Sequence, residues 1–306
     1  MRYVEAAGVR VSAIGLGTWQ FGSADWGYGP EYAGHVAPAL VRRALELGVT
    51  LIDTAEVYGG GTSERIVGQA LRSTSDPRFV ATKMSPILPI LPLMARAAEG
   101  SRARLHIEAI DLYQLHWPNP FVPARVQAAS LRRVLDRGIV RNVGVSNHSL
   151  GRWRSIEAAL GRPVISNQVE FSLARFRPAR TLVPYAAASD RLIIAFSPLA
   201  QGLLAETGPL RRNPARVLRR ILGAARPADA APLRALVREV AAANGATMSQ
   251  VALAWLIGHP NTVAIPGART IAQLEENVRA AELELPADDL ARLTEAAIQL
   301  DSLRRR

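Results

Sequence analysis

The chain contains no cysteine, and only one of its 37 basic residues is a lysine. The first absence excludes a disulfide framework. Long apolar runs are missing as well. Arg, Glu or Asp interrupts each stretch before it reaches the roughly 18 residues that a membrane helix requires. Met1-Arg2-Tyr3-Val4-Glu5 lacks the roughly 7–15-residue apolar segment of a secretory signal, so the expectation is a cytoplasmic protein with no membrane partner. Aromatic residues are scarce, but hydrophobic residues make up 49% of the 306 positions, enough for a large core and too many for a disordered chain.

What the chain has in excess is arginine. Thirty-six Arg and one Lys oppose 26 acids, giving a net charge of +11. Such a balance raises the question of a nucleic-acid partner. The arginines, however, are scattered through every segment. The densest groups, Arg211-Arg212 to Arg219-Arg220 and Arg304-Arg305-Arg306, have no interleaved aromatics on which bases would stack. The expectation is therefore no nucleic acid. A general preference for Arg explains the excess, and the resulting field suits an anionic ligand such as a phosphorylated cofactor.

Against that background Lys83 is informative. Arg and Lys exchange freely at solvated positions, but not where a side chain must shift its pKa or fit a tight pocket. Lys83 ends the run Phe79-Val80-Ala81-Thr82-Lys83, which reads as a short buried strand. A cation at the carboxyl end of a strand is where a barrel places its chemistry.

Short apolar runs alternate with helical patterns along the chain. The strand candidates are Ala13–Leu16, Leu51–Asp53, Phe79–Lys83, Ile110–His116, Val140–Ser146, Ile165–Val169, Leu192–Phe196 and Thr262–Ile265. Helical segments are expected at Ala37–Leu47, Ser63–Leu71, Leu91–Leu105, Arg125–Arg137, Ser149–Leu160, Arg180–Ser189 and Ile271–Ala281. Gly48, Gly138 and Gly161 stand where left-handed residues end helices. Eight βα units with apolar strands predict a single (β/α)8 TIM barrel domain over residues 1–306. A hairpin around Gly8 is expected to plug its floor. The Gly/Pro/Arg-rich stretch Ala200–Pro232 reads as an insertion. Extra helices are expected near Leu233–Ala243, Ser249–Gly258 and Ala287–Leu303, the second opened by a capping box at Thr247 and Gln250.

Several motifs carry little. Gly15-Leu16-Gly17-Thr18-Trp19-Gln20 lacks the third glycine and the helix of a dinucleotide fingerprint. Gly59-Gly60-Gly61-Thr62-Ser63 lacks the Gly-Lys of a phosphate loop and reads as a turn feeding a helix, with Ser63 as N-cap and Glu64 near the positive end. No metal site is expected, since no His-Glu-x-x-His or Cys/His cluster occurs. His35, His106 and His259 have no partner pattern.

One constellation stands out. Asp53 closes the second strand candidate, Tyr58 follows in its loop, Lys83 closes the third and His116 the fourth. In a barrel these ends are neighbours on one rim. A Tyr is a poor acid at neutral pH unless a nearby ammonium favours its phenolate, and a carboxylate orients that ammonium. Such a set suits giving a proton to a carbonyl oxygen while hydride reaches carbon.

The stretch Asp53-Thr54-Ala55-Glu56-Val57-Tyr58-Gly59 resembles the signature of the aldo-keto reductase superfamily. So do Leu45-Glu46-Leu47-Gly48, Thr82-Lys83, Leu115-His116-Trp117-Pro118, Gly144-Val145-Ser146-Asn147, Gln168, Phe196-Ser197-Pro198-Leu199 and Ile265-Pro266-Gly267-Ala268-Arg269, which occur in family order. The resemblance implies a catalytic tetrad of Asp53, Tyr58, Lys83 and His116, with NADP(H) across the barrel mouth and NAD(H) as the alternative. By the same resemblance Ser146, Asn147 and Gln168 hold the nicotinamide carboxamide, and Phe196 offers a ring where many members have Tyr. Ser197, Leu199 and Gly202 line the pyrophosphate. Gly267, Ala268, Arg269, Gln273, Glu276 and Asn277 take the adenosine end, while Gly17, Thr18, Trp19, Asp53 and Ile265 complete the cofactor set. Arg269 is the expected grip on the 2′-phosphate. Gln273 also forms a capping box with Thr270, so a structural role is equally open to it.

Trp19, Trp26 and Trp117 are expected to wall the substrate pocket beside Tyr58 and His116. Plain loop packing is equally open for Trp26, and His148 reads as a helix-start residue. The expected activity is reduction of an aldehyde or ketone, with a small carbonyl or alcohol as partner. The alternative is a non-catalytic nucleotide-binding subunit resembling those of potassium channels. Neither the substrate nor the oligomeric state is legible in the sequence.

Overall fold

The computed structural model describes residues 1–22, 31–85, 90, 92–206 and 229–303. It opens with a hairpin of β1 (Tyr3–Ala6) and β2 (Val9–Ser12), paired antiparallel. The two-residue turn has positive φ at Ala7 and Gly8 (53° and 73°), as a tight twisted hairpin requires.

Eight parallel strands follow: β3 (Leu16–Gly17), β4 (Leu51–Asp53), β5 (Phe79–Met84), β6 (Ile110–Leu115), β7 (Val140–Ser146), β8 (Ser166–Glu170), β9 (Leu192–Phe196) and β10 (Thr262–Ala264). Each pairs with its neighbour in chain order. The ring closes at Ile14, which bridges Ala264, and Gly15 N donates to the Ala264 carbonyl at 2.7 Å. The fold is the expected (β/α)8 barrel. The first strand candidate is displaced, because Ala13 and Ile14 form this closing seam and only Leu16–Gly17 runs as strand.

Helices α1 (Ala37–Glu46), α2 (Thr62–Leu71), α3 (Leu93–Leu105), α4 (Ala124–Asp136), α5 (Leu150–Leu160) and α6 (Arg177–Ala188) cover the outside. Between β9 and β10 lie α7 (Ala231–Ala243) and α8 (Met248–Ile257); α9 (Ile271–Arg279) and α10 (Ala287–Leu303) follow β10. Leu40, Val41, Ala44 and Leu45 of α1 are buried on one face, as their helical spacing predicts. Gly48, Gly138 and Gly161 take φ of 81°, 66° and 67° just beyond α1, α4 and α5. The capping box at Thr247 and Gln250 opens α8.

One expectation at α2 fails. Gly61, not Ser63, precedes the helix, and Ser63 is its second residue. The Ser63 hydroxyl is drawn inward instead, 2.7 Å from Thr18 Oγ1 and 2.9 Å from Thr54 Oγ1, in a fully buried cluster.

Strand alternation sorts the two faces of the sheet. Leu51, Ala81, Leu112, Ile165, Leu192, Ile194 and Val263 form an apolar cluster with Ala6 and Val11 of the hairpin, so the hairpin plugs the barrel interior. Tyr113, Leu115, Val143, Val145 and Ile193 face the helices. Two residues beyond the apolar floor, the same inward alternation brings up Asp53, Lys83 and Gln114; on β8 Gln168, three residues beyond Ile165, turns its amide to Asp53 as well. A polar layer thus lies over an apolar one at the carboxyl ends of the strands. Among the described residues no single helix is long and apolar enough to cross a membrane.

Candidate active site

The register places Gly17 beside Asp53 and Lys83 beside Gln114. Lys83 is fully buried, and its ammonium has three hydrogens to place. Nζ lies 2.5 Å from Asp53 Oδ1, 2.7 Å from the Thr54 carbonyl and 3.3 Å from the Tyr58 hydroxyl. The second Asp53 oxygen accepts from Gln168 Nε2 at 2.7 Å, with Gln114 Nε2 at 3.5 Å. The His116 ring meets Tyr58 edge to face at 5.8 Å between centroids. The structure therefore brings together all four residues at the strand ends.

The loop bearing Tyr58 is held from two sides. Gly59 has φ of 56°, and a Cβ there would fall 2.5 Å from the Gly22 carbonyl oxygen, so the loops after β3 and β4 meet backbone to backbone. Behind it, the buried Glu64 carboxylate accepts from Thr82 Oγ1 at 2.6 Å and from Arg104 Nε at 2.6 Å, tying α2 to β5 and α3. Neither contact carries a local sequence signal, because each partner lies on another element.

Electrostatics correct one expectation. Burial pushes Tyr58 above its usual 10; Lys83 pulls it down, Asp53 pushes it up, and the net shift is upward. The hydroxyl therefore keeps its proton at neutral pH. Burial also works to lower Lys83, but the charge of Asp53 and the Tyr58 contact outweigh it and leave the ammonium above its usual 10.5. His116 is lowered to about 3, by burial first and then by Lys83. Its imidazole is neutral at physiological pH and carries one N–H to donate.

The expected cofactor residues spread around the same rim, though not all present their side chains. Thr18 is fully buried, and its hydroxyl donates to the Asp53 carbonyl at 2.9 Å. Gln168 turns its amide to Asp53, while Ser146 Oγ donates to the Gln168 carbonyl at 3.0 Å. Asn147 is left-handed at φ 61° and donates to Ser146 Oγ and the His116 carbonyl. Phe196 is half-buried against the barrel floor cluster. Leu199 packs on the outer core, and Gly202 N donates to the Leu199 carbonyl at 3.0 Å. Gly17 passes so near Ile265 that a Cβ would lie 2.8 Å from its carbonyl oxygen.

At the adenosine end, Ala268 is buried and its carbonyl accepts from Gln20 Nε2 and Tyr32 Oη at 3.0 and 3.1 Å. Both anchors were missed in the sequence. Gly267 and Arg269 are exposed. Thr270 caps α9 through Gln273 N, but Gln273 Oε1 accepts from Arg269 N rather than from Thr270 N, so the expected box is displaced by one residue. Glu276 accepts from Thr247 Oγ1 at 2.7 Å, and Asn277 is buried. Trp19 and Trp117 are exposed on the rim, while Trp26 and residues 207–228 of the insertion lie outside the described residues.

These residues fit a phosphorylated dinucleotide. Among the described residues the exposed Arg269 guanidinium forms no ion pair, and it sits at the N-terminus of α9. Four of the eight described non-glycine residues with positive φ, Asn147, Ser197, Ala200 and Gln201, lie just after β7 and β9. Left-handed backbone concentrates at ligand clamps, where the surrounding structure holds it. His116 is lodged beside Lys83, and its buried Nδ1 has no hydrogen-bond partner among the described residues.

Comparison with known proteins bears on this rim. The model of the Aldo/keto reductase family matches residues 13–298. An uncharacterized oxidoreductase of Mycobacterium tuberculosis is 49% identical over 300 residues, covering 97% of this chain and 93% of that protein. The methylglyoxal reductase of Escherichia coli is 32% identical over 289 residues, covering 94% and 92%. Among solved structures, a thermostable aldo-keto reductase in complex with the inhibitor epalrestat aligns with a TM-score of 0.81 at 29% identity, over 97% of this chain and 100% of that one. An aldo-keto reductase from Klebsiella pneumoniae in complex with NADP and acetate aligns with a TM-score of 0.77 at 29% identity, over 96% and 94%.

Proposed function

The chain belongs to the aldo/keto reductase family, and from that premise we propose that it reduces an aldehyde or ketone to an alcohol with NADPH, Tyr58 supplying the proton. The observation that carries this reading is the chain of contacts from Asp53 through Lys83 to the Tyr58 hydroxyl. NADPH, when bound, supplies a hydride to the carbonyl carbon. Ser146, Asn147 and Gln168 would hold its nicotinamide end, and Arg269 its 2′-phosphate.

The neutral His116 donates a hydrogen bond to the substrate oxygen and orients the carbonyl toward Tyr58. As charge develops on that oxygen, the Tyr58 hydroxyl gives up its proton, and Lys83 stabilises the phenolate left behind. Asp53 holds Lys83 in place. Solvent then reprotonates Tyr58. The reverse sequence oxidises an alcohol. Trp19 and Trp117 form apolar walls for the substrate.

The name of the Escherichia coli relative makes methylglyoxal, a small 2-oxoaldehyde, the first substrate to test. The cofactor assignment is tested by fluorescence titration with NADPH and NADH. Tighter binding of NADPH, with the preference lost in Arg269→Ala, is expected. Equal binding of both by the wild type would remove Arg269 from the phosphate grip.

A further inference from the structure

Gln168 is nearly solvent-free, and its side chain crosses the barrel interior from β8 to a partner 115 residues away. That partner is Asp53, whose two oxygens are engaged separately. Oδ1 faces Lys83 at 2.5 Å and Oδ2 accepts from Gln168 at 2.7 Å. Gln114 reaches Oδ2 only at 3.5 Å, the outer limit of a hydrogen bond. Gln168 is thus the close contact that stops the carboxylate turning about its own axis. Its backbone is pinned in turn, since its carbonyl accepts from Ser146 Oγ at 3.0 Å and Asn147 N at 2.8 Å.

The Lys83 ammonium is sensitive to such a turn because its three hydrogens have three acceptors: Asp53 Oδ1, the Thr54 carbonyl and the Tyr58 hydroxyl. The shortest of these contacts sets where Nζ sits, and the longest is the one to Tyr58. A carboxylate free to rotate would carry Nζ with it and lengthen a Tyr58 contact already at 3.3 Å.

We propose that Gln168 is a positioning residue for proton transfer, holding Asp53 so that Lys83 stays aligned on the Tyr58 hydroxyl. The proposal rests on the reading of Tyr58 as proton donor, and it gives Gln168 a task in the cofactor-free protein besides any contact with nicotinamide. The charged and titratable groups facing this chain are Asp53 from β4, Tyr58 from the loop after it, Lys83 from β5 and His116 after β6.

The single lysine makes the test direct. Protein labelled with 13C at lysine Cε gives one side-chain resonance, that of Lys83, with neither cofactor nor substrate present. Gln168→Met removes the donor at similar length. Gln168→Glu donates only while its carboxyl is protonated, a form that the neighbouring Asp53 favours. Both variants are expected to shift the Lys83 resonance at pH 8, and in Gln168→Glu the signal should move back toward the wild type as the pH is lowered. In the methylglyoxal assay kcat should fall by on the order of tenfold to a hundredfold, the size of one hydrogen bond to a charged group. That fall should exceed the change in NADPH dissociation constant, and Gln168→Glu should recover turnover on the acid side. Thermal melts check that both variants are folded. The two failures are separable: no carbonyl turnover by the wild type overturns the reductase reading, whereas an unmoved Lys83 resonance in folded variants overturns the role of Gln168.

Discussion

Lys83 Nζ stands 2.5 Å from Asp53 Oδ1, and neither side chain is open to solvent. Two charges are withdrawn from water there, at a desolvation cost that a pair meets only with good geometry and further hydrogen bonds. Gln168, Thr54 and Tyr58 provide those bonds. An ion pair so placed is weak evidence for stability and better evidence of a chemical task.

Lys83→Met leaves the Asp53 carboxylate inside the barrel with amide donors alone. Breaking a buried pair in this way costs about 3–5 kcal/mol, which a urea unfolding curve will show as a lower midpoint. Lys83→Arg keeps the charge, but a planar fork cannot occupy the place of a compact ammonium with three acceptors. Its kcat is expected to drop by about 100-fold or more, the range of a lost acid–base contribution. Near-normal turnover in Lys83→Arg would show that the chain's only lysine is replaceable.

Acid sensitivity follows from three buried histidines, His116, His148 and His259, the last also held below its usual value by burial. Burial lowers His148 to about 4 and His116 to about 3, against the usual 6.5. Above pH 6.5 all three are neutral whether the chain is folded or unfolded. Below it the unfolded chain binds protons that the folded one refuses, so stability declines as pH falls from 6.5 toward those lower values. For His148 the loss at pH 5 is about 2 kcal/mol. Urea midpoints at pH 7 and pH 5 measure it, and His148→Phe should show a smaller difference between them. His116 should produce no limb near pH 6.5 in the kcat/KM profile.

Arg104 pairs with the buried Glu64 at 2.6 Å. Arg104→Met removes that partner and leaves Glu64 with Thr82 alone, at a cost of about 3 kcal/mol. Thermal unfolding checks this. Because α2 also carries Ser63, whose hydroxyl binds Thr18 and Thr54, loosening the helix should lower kcat as well.

The barrel and the meeting of Asp53, Tyr58, Lys83 and His116 were legible because consecutive strand ends are neighbours once the βα alternation is recognised. That inference needs only order along the chain. Side-chain direction is another matter. Ser63 has the local marks of an N-cap, yet two hydroxyls from other elements outbid the helix amides and draw it inward. The Gln168 bond to Asp53 spans most of the barrel, and no spacing encodes it. The ammonium that pulls Tyr58 down is visible in the sequence, but the burial that outweighs it is not. Strand ends moved for a related reason: the seam between Ile14 and Ala264 forms only when the ring closes.

The most direct test is NADPH consumption with methylglyoxal at pH 7 by the wild type and Tyr58→Phe, alongside NADPH binding by fluorescence. Tyr58→Phe should lose about 100-fold or more of kcat, the scale of a missing general acid, while binding NADPH within a few-fold of the wild type. Wild-type turnover in Tyr58→Phe, or equal loss of turnover and binding, would contradict proton donation by Tyr58.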